Sequence, residues 1–264
     1  MKMTYRIPQV NATYVPALLN AIKGNHTLIA GTTGCGKSTL EHAIMRGFLG
    51  TCLPGSEDNG RNVLFFLLDP KKVELSIYKT LPHTICYASD LYDIEQALMN
   101  IRLIINQRLY KMERKGIRKS NEAPIYVFID ELVDLVKSKR SKQIIEYLSD
   151  CISISRCCNI FFIICTQAPN RRILLPEIVL NCNCRIALFC NDAIESRQII
   201  GTDDAARLPK HGVGIVRKDV DKYKVEIPLY SDDDIQTVIK GWTSQHPIYD
   251  AYIRWITRPK KSIF

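Results

Sequence analysis

The chain has 264 residues, 46% of them hydrophobic, enough to bury the core of one large α/β domain with small appendages. Its longest apolar runs, at 63–68 and 160–165, are too short to span a bilayer and no signal peptide opens the chain, so the expected location is the cytoplasm, with recruitment to a membrane complex or capsid portal only through a partner protein. The formal charge of +9, from 36 Lys and Arg against 27 Asp and Glu, is compatible with a polyanionic partner without requiring one.

Residues 1–24 read as an N-terminal extension. A strand is expected at 27–30 and a helix at 37–48, and between them lies "GTTGCGKS". This fills the pattern GxxxxGK followed by Ser or Thr. Glycines let successive backbone N–H groups turn toward one anion without Cβ clashes, and the helix start adds its positive dipole end. The residues expected to bind the phosphates are Gly31, Thr32, Thr33, Gly34, Cys35, Gly36, Lys37, Ser38 and Thr39. Lys37 is expected to reach the β- and γ-phosphates of ATP, and the Ser38 hydroxyl to ligate Mg²⁺. Cys35 is given no catalytic role. The ten cysteines are scattered without CxxC spacing. They read as small buried hydrophobes in a reducing compartment, with a metal site as the lesser alternative.

Residues 50–61, rich in Gly, Pro, Asp and Asn, read as a loop. Strands follow at 62–68 and 84–87, a long helix at 91–114, and a wholly apolar strand at 124–129. Asp130 and Glu131 come directly after that strand. Beside a triphosphate, Asp130 would hold the metal through water and Glu131 would act as base toward the attacking water. Two acids here also favour a helix start, and both readings can hold together. The basic cluster Arg108, Lys111, Arg114, Lys115, Arg118 and Lys119 reads as a solvated face. A short helix at 131–137 leads into "KSKRSK" (Lys137, Lys139, Arg140, Lys142), either a solvated charge run or a nucleic-acid contact. A helix at 142–156 precedes the strand at 159–165, which ends in Thr166 and Gln167. Gln167 is suited to sense the γ-phosphate or orient water; an ordinary strand-to-loop transition is the alternative. Helices at 174–180 and 192–200, a strand at 184–189, a hairpin or edge pair at 213–229 and a helix at 231–241 complete the pass. Residues 242–264 form a basic tail with Trp242 and Trp255. Doubly apolar strands separated by helices predict an α/β fold, a mostly parallel central sheet with helices on both faces.

Five segments in this order, "LIAGTTGCGKST", "LLDPKKVELSIYKTLPH", "FIDELVDL", "SRCCNIFFIICTQAP" and "NCRIALFCNDAIESRQIIG", resemble the motor domain of the FtsK/SpoIIIE DNA translocases, within the wider HerA–FtsK superfamily. The resemblance covers roughly 25–238, with the motor itself taken as 25–241. It implies a RecA-like P-loop fold and an ATPase working as a homo-oligomer, a hexameric ring that threads double-stranded DNA. With ATP between subunits, a neighbour must supply an arginine, and the matching position is Arg156. Arg185 and Arg197 match further arginines of the family pattern and stand second for interface or nucleotide contacts. "PNRR" (Arg171, Arg172) matches the position of a pore loop that would hold the DNA backbone. Ala168 stands where the family commonly has arginine, and "GTDDAARLPKHGVG" departs from the family pattern. No winged-helix module or membrane segment is visible. The expectation is therefore a compact DNA pump of a mobile element, plasmid or phage, acting in conjugative transfer or genome packaging. The alternative is a protein-secretion ATPase of the type VII kind, which uses the same motor fold.

Overall fold

The computed structural model describes residues 14–50 and 63–243. The loop expected at 50–61 and the tail at 242–264 lie almost wholly outside these residues. Helix α1 (Tyr14–Ile22) precedes strand β1 (Thr27–Ala30) and helix α2 (Lys37–Gly50). Strands β2 (Leu64–Leu68) and β3 (Thr84–Ala88) lead to helix α3 (Leu91–Lys115), strand β4 (Ile125–Ile129) and helices α4 (Leu132–Val136) and α5 (Ser141–Ile154). Strand β5 (Ile160–Thr166), helix α6 (Pro176–Val179), strand β6 (Cys184–Ala187) and helix α7 (Ala193–Ile200) follow. Strands β7 (Val213–Lys218) and β8 (Asp221–Glu226) and helix α8 (Asp232–Thr243) close the order.

The strands form one sheet in the order β3-β2-β4-β5-β1-β6-β7-β8. Pairing is parallel from β3 through β6, and antiparallel for β6–β7 and β7–β8. Every residue of β1, β2, β4 and β5 is buried, as a sheet covered on both faces requires. The period-two alternation of strands divides their side chains between two cores. Phe66, Val127, Phe162 and Ile164 pack with α3, α4 and α5 on one face. Phe65, Phe128, Phe161 and Ile163 pack with α1, α2 and α8 on the other.

Helix α3 begins where the Asp90 carboxylate accepts from the Tyr92 and Asp93 N–H groups, and ends at Gly116, in the left-handed region at φ 63°. Helix α1 lies inside the stretch expected as an extension, where the sequence reading assigned no helix. Its Leu18, Leu19, Ala21 and Ile22 are buried in the second core. Pro16 falls in its first turn, where the missing N–H has no intrahelical partner to lose.

The solvated face expected for the α3 basic cluster is wrong at Arg108. That side chain is buried and donates to the carbonyls of Cys158 (2.7 Å), Asn159 (3.3 Å) and Ala123 (2.9 Å). Those carbonyls lie just before β4 and β5; Asn159 O also accepts from Ile125 N–H at 3.0 Å, and a long cation with a forked set of donors satisfies the other two. In "KSKRSK", Arg140 pairs with Glu95 at 2.5 Å and lies 5.4 Å from the centre of the Tyr92 ring. Among the described residues no helix is long and apolar enough to cross a membrane.

Candidate nucleotide site

The glycine loop leaves β1 at Ala30 and enters α2 at Lys37. Thr32 N–H donates to Phe189 O at 2.9 Å, which ties the loop to the chain beyond β6. A Cβ on Gly31 would lie 2.7 Å from Leu188 Cβ, so only glycine fits there. Gly34 and Gly36 adopt φ 75° and 97°, a conformation open to glycine. Between them these positions leave a backbone concavity at the start of a fourteen-residue helix.

Lys37 is 4% exposed. Its ammonium donates to Asp130 Oδ1 at 2.6 Å, Asp130 O at 2.9 Å and Glu41 Oε2 at 3.2 Å. Burial alone would lower the Lys37 pKa, but the carboxylates of Glu41 and Asp130 overcome it and raise the value above the ordinary lysine range. Burial pushes the Glu41 carboxyl up to about 8, with Lys37 pulling the other way. Asp69 directly follows β2, as Asp130 follows the neighbouring β4, and burial followed by the Asp130 charge raises the Asp69 pKa as well.

Glu131 is 2% exposed and caps α4. Its Oε1 accepts from Val133 N–H at 3.3 Å and from Gln167 N–H at 3.1 Å. Its Oε2 lies 3.3 Å from the same Gln167 N–H and 3.2 Å from Lys71 Nζ. The Gln167 side-chain oxygen accepts from the Thr33 hydroxyl at 3.0 Å, so the loop, the end of β5 and the acid after β4 form one hydrogen-bonded chain. The helix-cap reading of Glu131 is observed, and the cap leaves the residue beside the loop through Gln167 and Thr33.

The sequence reading missed four neighbours of this site. Glu41 and Asp69 are buried, and Lys71 pairs with Glu131. Glu74 lies 3.5 Å from His42 Nε2, and its pKa is lowered to about 2 by hydrogen bonds from His42 and Ser38. Three of the four, Asp69, Lys71 and Glu74, lie in the "DPKKVEL" block just after the strand adjacent to β4, and Glu41 lies on α2.

The donors suit a hard divalent ion. Asp130 Oδ2 is buried with no hydrogen-bond partner, the Ser38 hydroxyl follows Lys37, and the Glu74 carboxylate meets that hydroxyl. Oxygen ligands of this kind fit Mg²⁺. Thr39 lies in the first turn of α2 and Cys35 is buried inside the loop.

Arg156 is not part of this cluster. It precedes β5, at the sheet edge opposite the loop, and donates to Asn183 Oδ1 at 2.7 Å. Arg171 and Arg172 follow Gln167 on the loop-bearing edge. Arg185 is spent on the carbonyls of Val179, Cys182 and Ile199, and Arg197 on Asp203. Arg171, Arg185, Arg197, Leu174, Val179 and Ile194 line part of a cleft of about 570 Å³.

A glycine-rich anion loop at the end of one inner strand, with a carboxylate two strands away in a parallel sheet, defines a P-loop nucleoside triphosphatase of RecA-like fold. More particularly, the chain belongs to the FtsK/SpoIIIE family, whose model matches residues 3–212. It is 29% identical over 237 residues to the DNA translocase FtsK of Lactococcus lactis subsp. lactis, a match covering 81% of this chain and 30% of that protein. The chain thus spans under a third of that relative. In fold it is similar to the pCW3 conjugation coupling protein TcpA in its monomer form with ATPγS, with a TM-score of 0.70 and 21% identity, over 83% of this chain and 65% of that one. It is similar also to the cytoplasmic domain of the type VII secretion ATPase EccC of Thermomonospora curvata, with a TM-score of 0.69 and 17% identity, over 85% of this chain and 29% of that one.

Proposed function

We propose that this chain is the motor of an ATP-driven double-stranded DNA translocase. It works as a homo-oligomeric, six-membered ring in conjugative transfer or genome packaging by a mobile element, plasmid or phage. The observation that carries the proposal is the convergence of Lys37, Asp130, Glu131 and Gln167 on the loop-bearing edge while Arg156 stands on the opposite one. An arginine so placed is useful to catalysis only at a neighbour's nucleotide. The likeness to the DNA translocase FtsK of Lactococcus lactis supports DNA as the substrate class.

The reaction follows from the side chains. The loop N–H groups and the α2 N-terminus hold the phosphates. Lys37 exchanges its carboxylate partners for phosphate oxygens, and Ser38 and Asp130 would hold Mg²⁺, which neutralises charge on the β- and γ-phosphates when bound. Gln167 orients a water. The water oxygen bonds to the γ-phosphorus, the bond to the β–γ bridging oxygen breaks, Glu131 takes the water's proton, and ADP leaves. A neighbour's Arg156 stabilises the transferring group, a contribution of ~10³–10⁵ in rate. Arg171 and Arg172 then carry the change to the DNA backbone, a contact that is independent of sequence and weakened by salt.

The test is ATPase rate with and without linear duplex DNA across a salt series. Strong stimulation that declines as salt rises is expected. No stimulation by DNA refutes the proposal, and stimulation by a protein partner alone moves the reading to polypeptide secretion.

A further inference from the structure

Glu131 in its observed position is a poor base. Both its oxygens are already engaged, and the site's chemistry needs one of them for the attacking water. Its partners differ in kind. Val133 and Gln167 bind through backbone N–H groups fixed by α4 and by the end of β5. Lys71 binds through a long side chain that is 35% exposed, against 3% for Glu131. It is the charged partner, and the one that can leave without moving an element of the fold.

The turn that presents Lys71 is built rather than loose. Lys72 N–H donates to Asp69 O at 3.1 Å, and Leu75 N–H donates to Asp69 Oδ2 at 3.2 Å. Lys72 is held at φ 62°, which a non-glycine residue adopts only where its surroundings enforce it. Asp69 is fully buried, so its grip on the turn anchors Lys71 to β2, the strand next to β4.

We propose that Lys71 is a positioning residue that clamps Glu131 in a resting state and so restrains ATP hydrolysis until the clamp opens. The Lys71 ammonium, 3.2 Å from Glu131 Oε2, fills the place a water would take at that oxygen. It also occupies the oxygen that has no helix-capping duty. Opening the clamp leaves Oε1 on Val133 and Gln167 and turns Oε2 to the water. The inference rests on the reading of Glu131 as the base.

The test compares wild type, Lys71→Met, Lys71→Gln, Lys71→Arg, Glu131→Gln and the double variant Lys71→Met/Glu131→Gln in DNA-free steady-state ATPase assays. Lys71→Met and Lys71→Gln should each raise basal kcat on the order of tenfold, a modest part of the 10²–10⁴ that a positioned base contributes. KM for ATP should stay unchanged, because Lys71 touches none of the loop. Lys71→Arg, which keeps the cation, should retain the low basal rate, and the double variant should show no gain over Glu131→Gln. A purely structural role would lower kcat in the Met and Gln variants, and that result, or an unchanged rate, overturns the clamp. If Glu131→Gln turns over as fast as wild type, the base assignment fails and the clamp falls with it. If Glu131→Gln is slow and Lys71→Met gains nothing, the clamp alone fails.

Discussion

Lys37→Ala is the natural way to silence a P-loop, and this structure predicts that it also damages the fold. The ammonium is 4% exposed and lies within 3.2 Å of both Asp130 and Glu41. Asp130 Oδ2 and Glu41 Oε1 already lack hydrogen-bond partners, so neither carboxylate has a spare donor to turn to. Removing one member of a buried ion pair costs about 3–5 kcal/mol. The full cost applies only while both carboxyls stay charged. Burial has already pushed Glu41 up to about 8, and without Lys37 it rises further, so at low pH it takes a proton and sheds part of the penalty. An acid whose folded pKa lies above its ordinary 4.5 loses stability as pH rises toward the folded value, and the variant extends that loss upward. Urea unfolding should therefore show Lys37→Ala destabilised by about 1–2 kcal/mol at pH 6 and by about 3–5 kcal/mol at pH 8.5. Lys37→Ala/Glu41→Gln should recover much of the difference at the higher pH. A Lys37→Ala protein as stable as wild type at both pH values would refute the buried cluster. The practical consequence is that loss of turnover in Lys37→Ala reports on nucleotide contacts only where urea curves show the variant folded.

Arg156→Ala should be inactive alone and should regain activity when mixed with Lys37→Ala, since each variant supplies the half the other lacks; no recovery in mixed assemblies removes the arginine from the trans position. Arg171→Ala/Arg172→Ala should keep its DNA-free ATPase rate while losing DNA stimulation and reducing the salt slope of binding by roughly two, one for each phosphate contact; unchanged stimulation removes both from the DNA path. Arg108→Met keeps the apolar stem but strands the carbonyls of Cys158 and Ala123, while Asn159 O keeps the Ile125 N–H. It should cost about 3–5 kcal/mol, whereas Lys119→Ala, on exposed surface, should stay within about 0.5 kcal/mol by denaturant titration.

The strands were legible because inner parallel strands are apolar on every residue, so "LFFLL", "IYVFI" and "IFFIICT" needed no periodicity argument. The loop and Asp130 were legible because phosphate chemistry restricts them to few residue types at set spacing. Lys71 and Glu74 were hidden for a different reason. They act from a loop whose path depends on a buried carboxylate, Asp69, holding a backbone N–H six residues on, and no local pattern encodes that. Helix α1 was hidden because it is nine residues long, has no acid in its first turn and contains a proline. Such a helix forms only because α2 and the β7–β8 pair cover its apolar side.

Glu41 and Arg108 could have been found, and by one rule. On α2, Lys37, Leu40, Glu41, Ile44 and Phe48 fall at three- and four-residue steps, and all five are buried. On α3, Ile101, Ile104, Ile105, Arg108 and Met112 do the same. A charged residue standing in an apolar stripe is carried into the core by its neighbours, whatever the local charge density suggests. Reading "RLYKMERKGIRK" as one basic face counted charges and ignored phase. Once buried, the two residues meet opposite demands. Arg108 finds carbonyls and, 3.4 Å from its Nε, the Glu122 carboxylate, and although that nitrogen keeps no hydrogen bond, all of these partners serve the fold. Glu41 finds Lys37, the lysine proposed above to bind the nucleotide, and it too keeps one atom without a hydrogen bond. The same misfit with the stripe rule therefore marks structural glue on one helix and, on the function proposed above, a competitor for the phosphate-binding lysine on the other, and what separates them is whether the partner has other work to do.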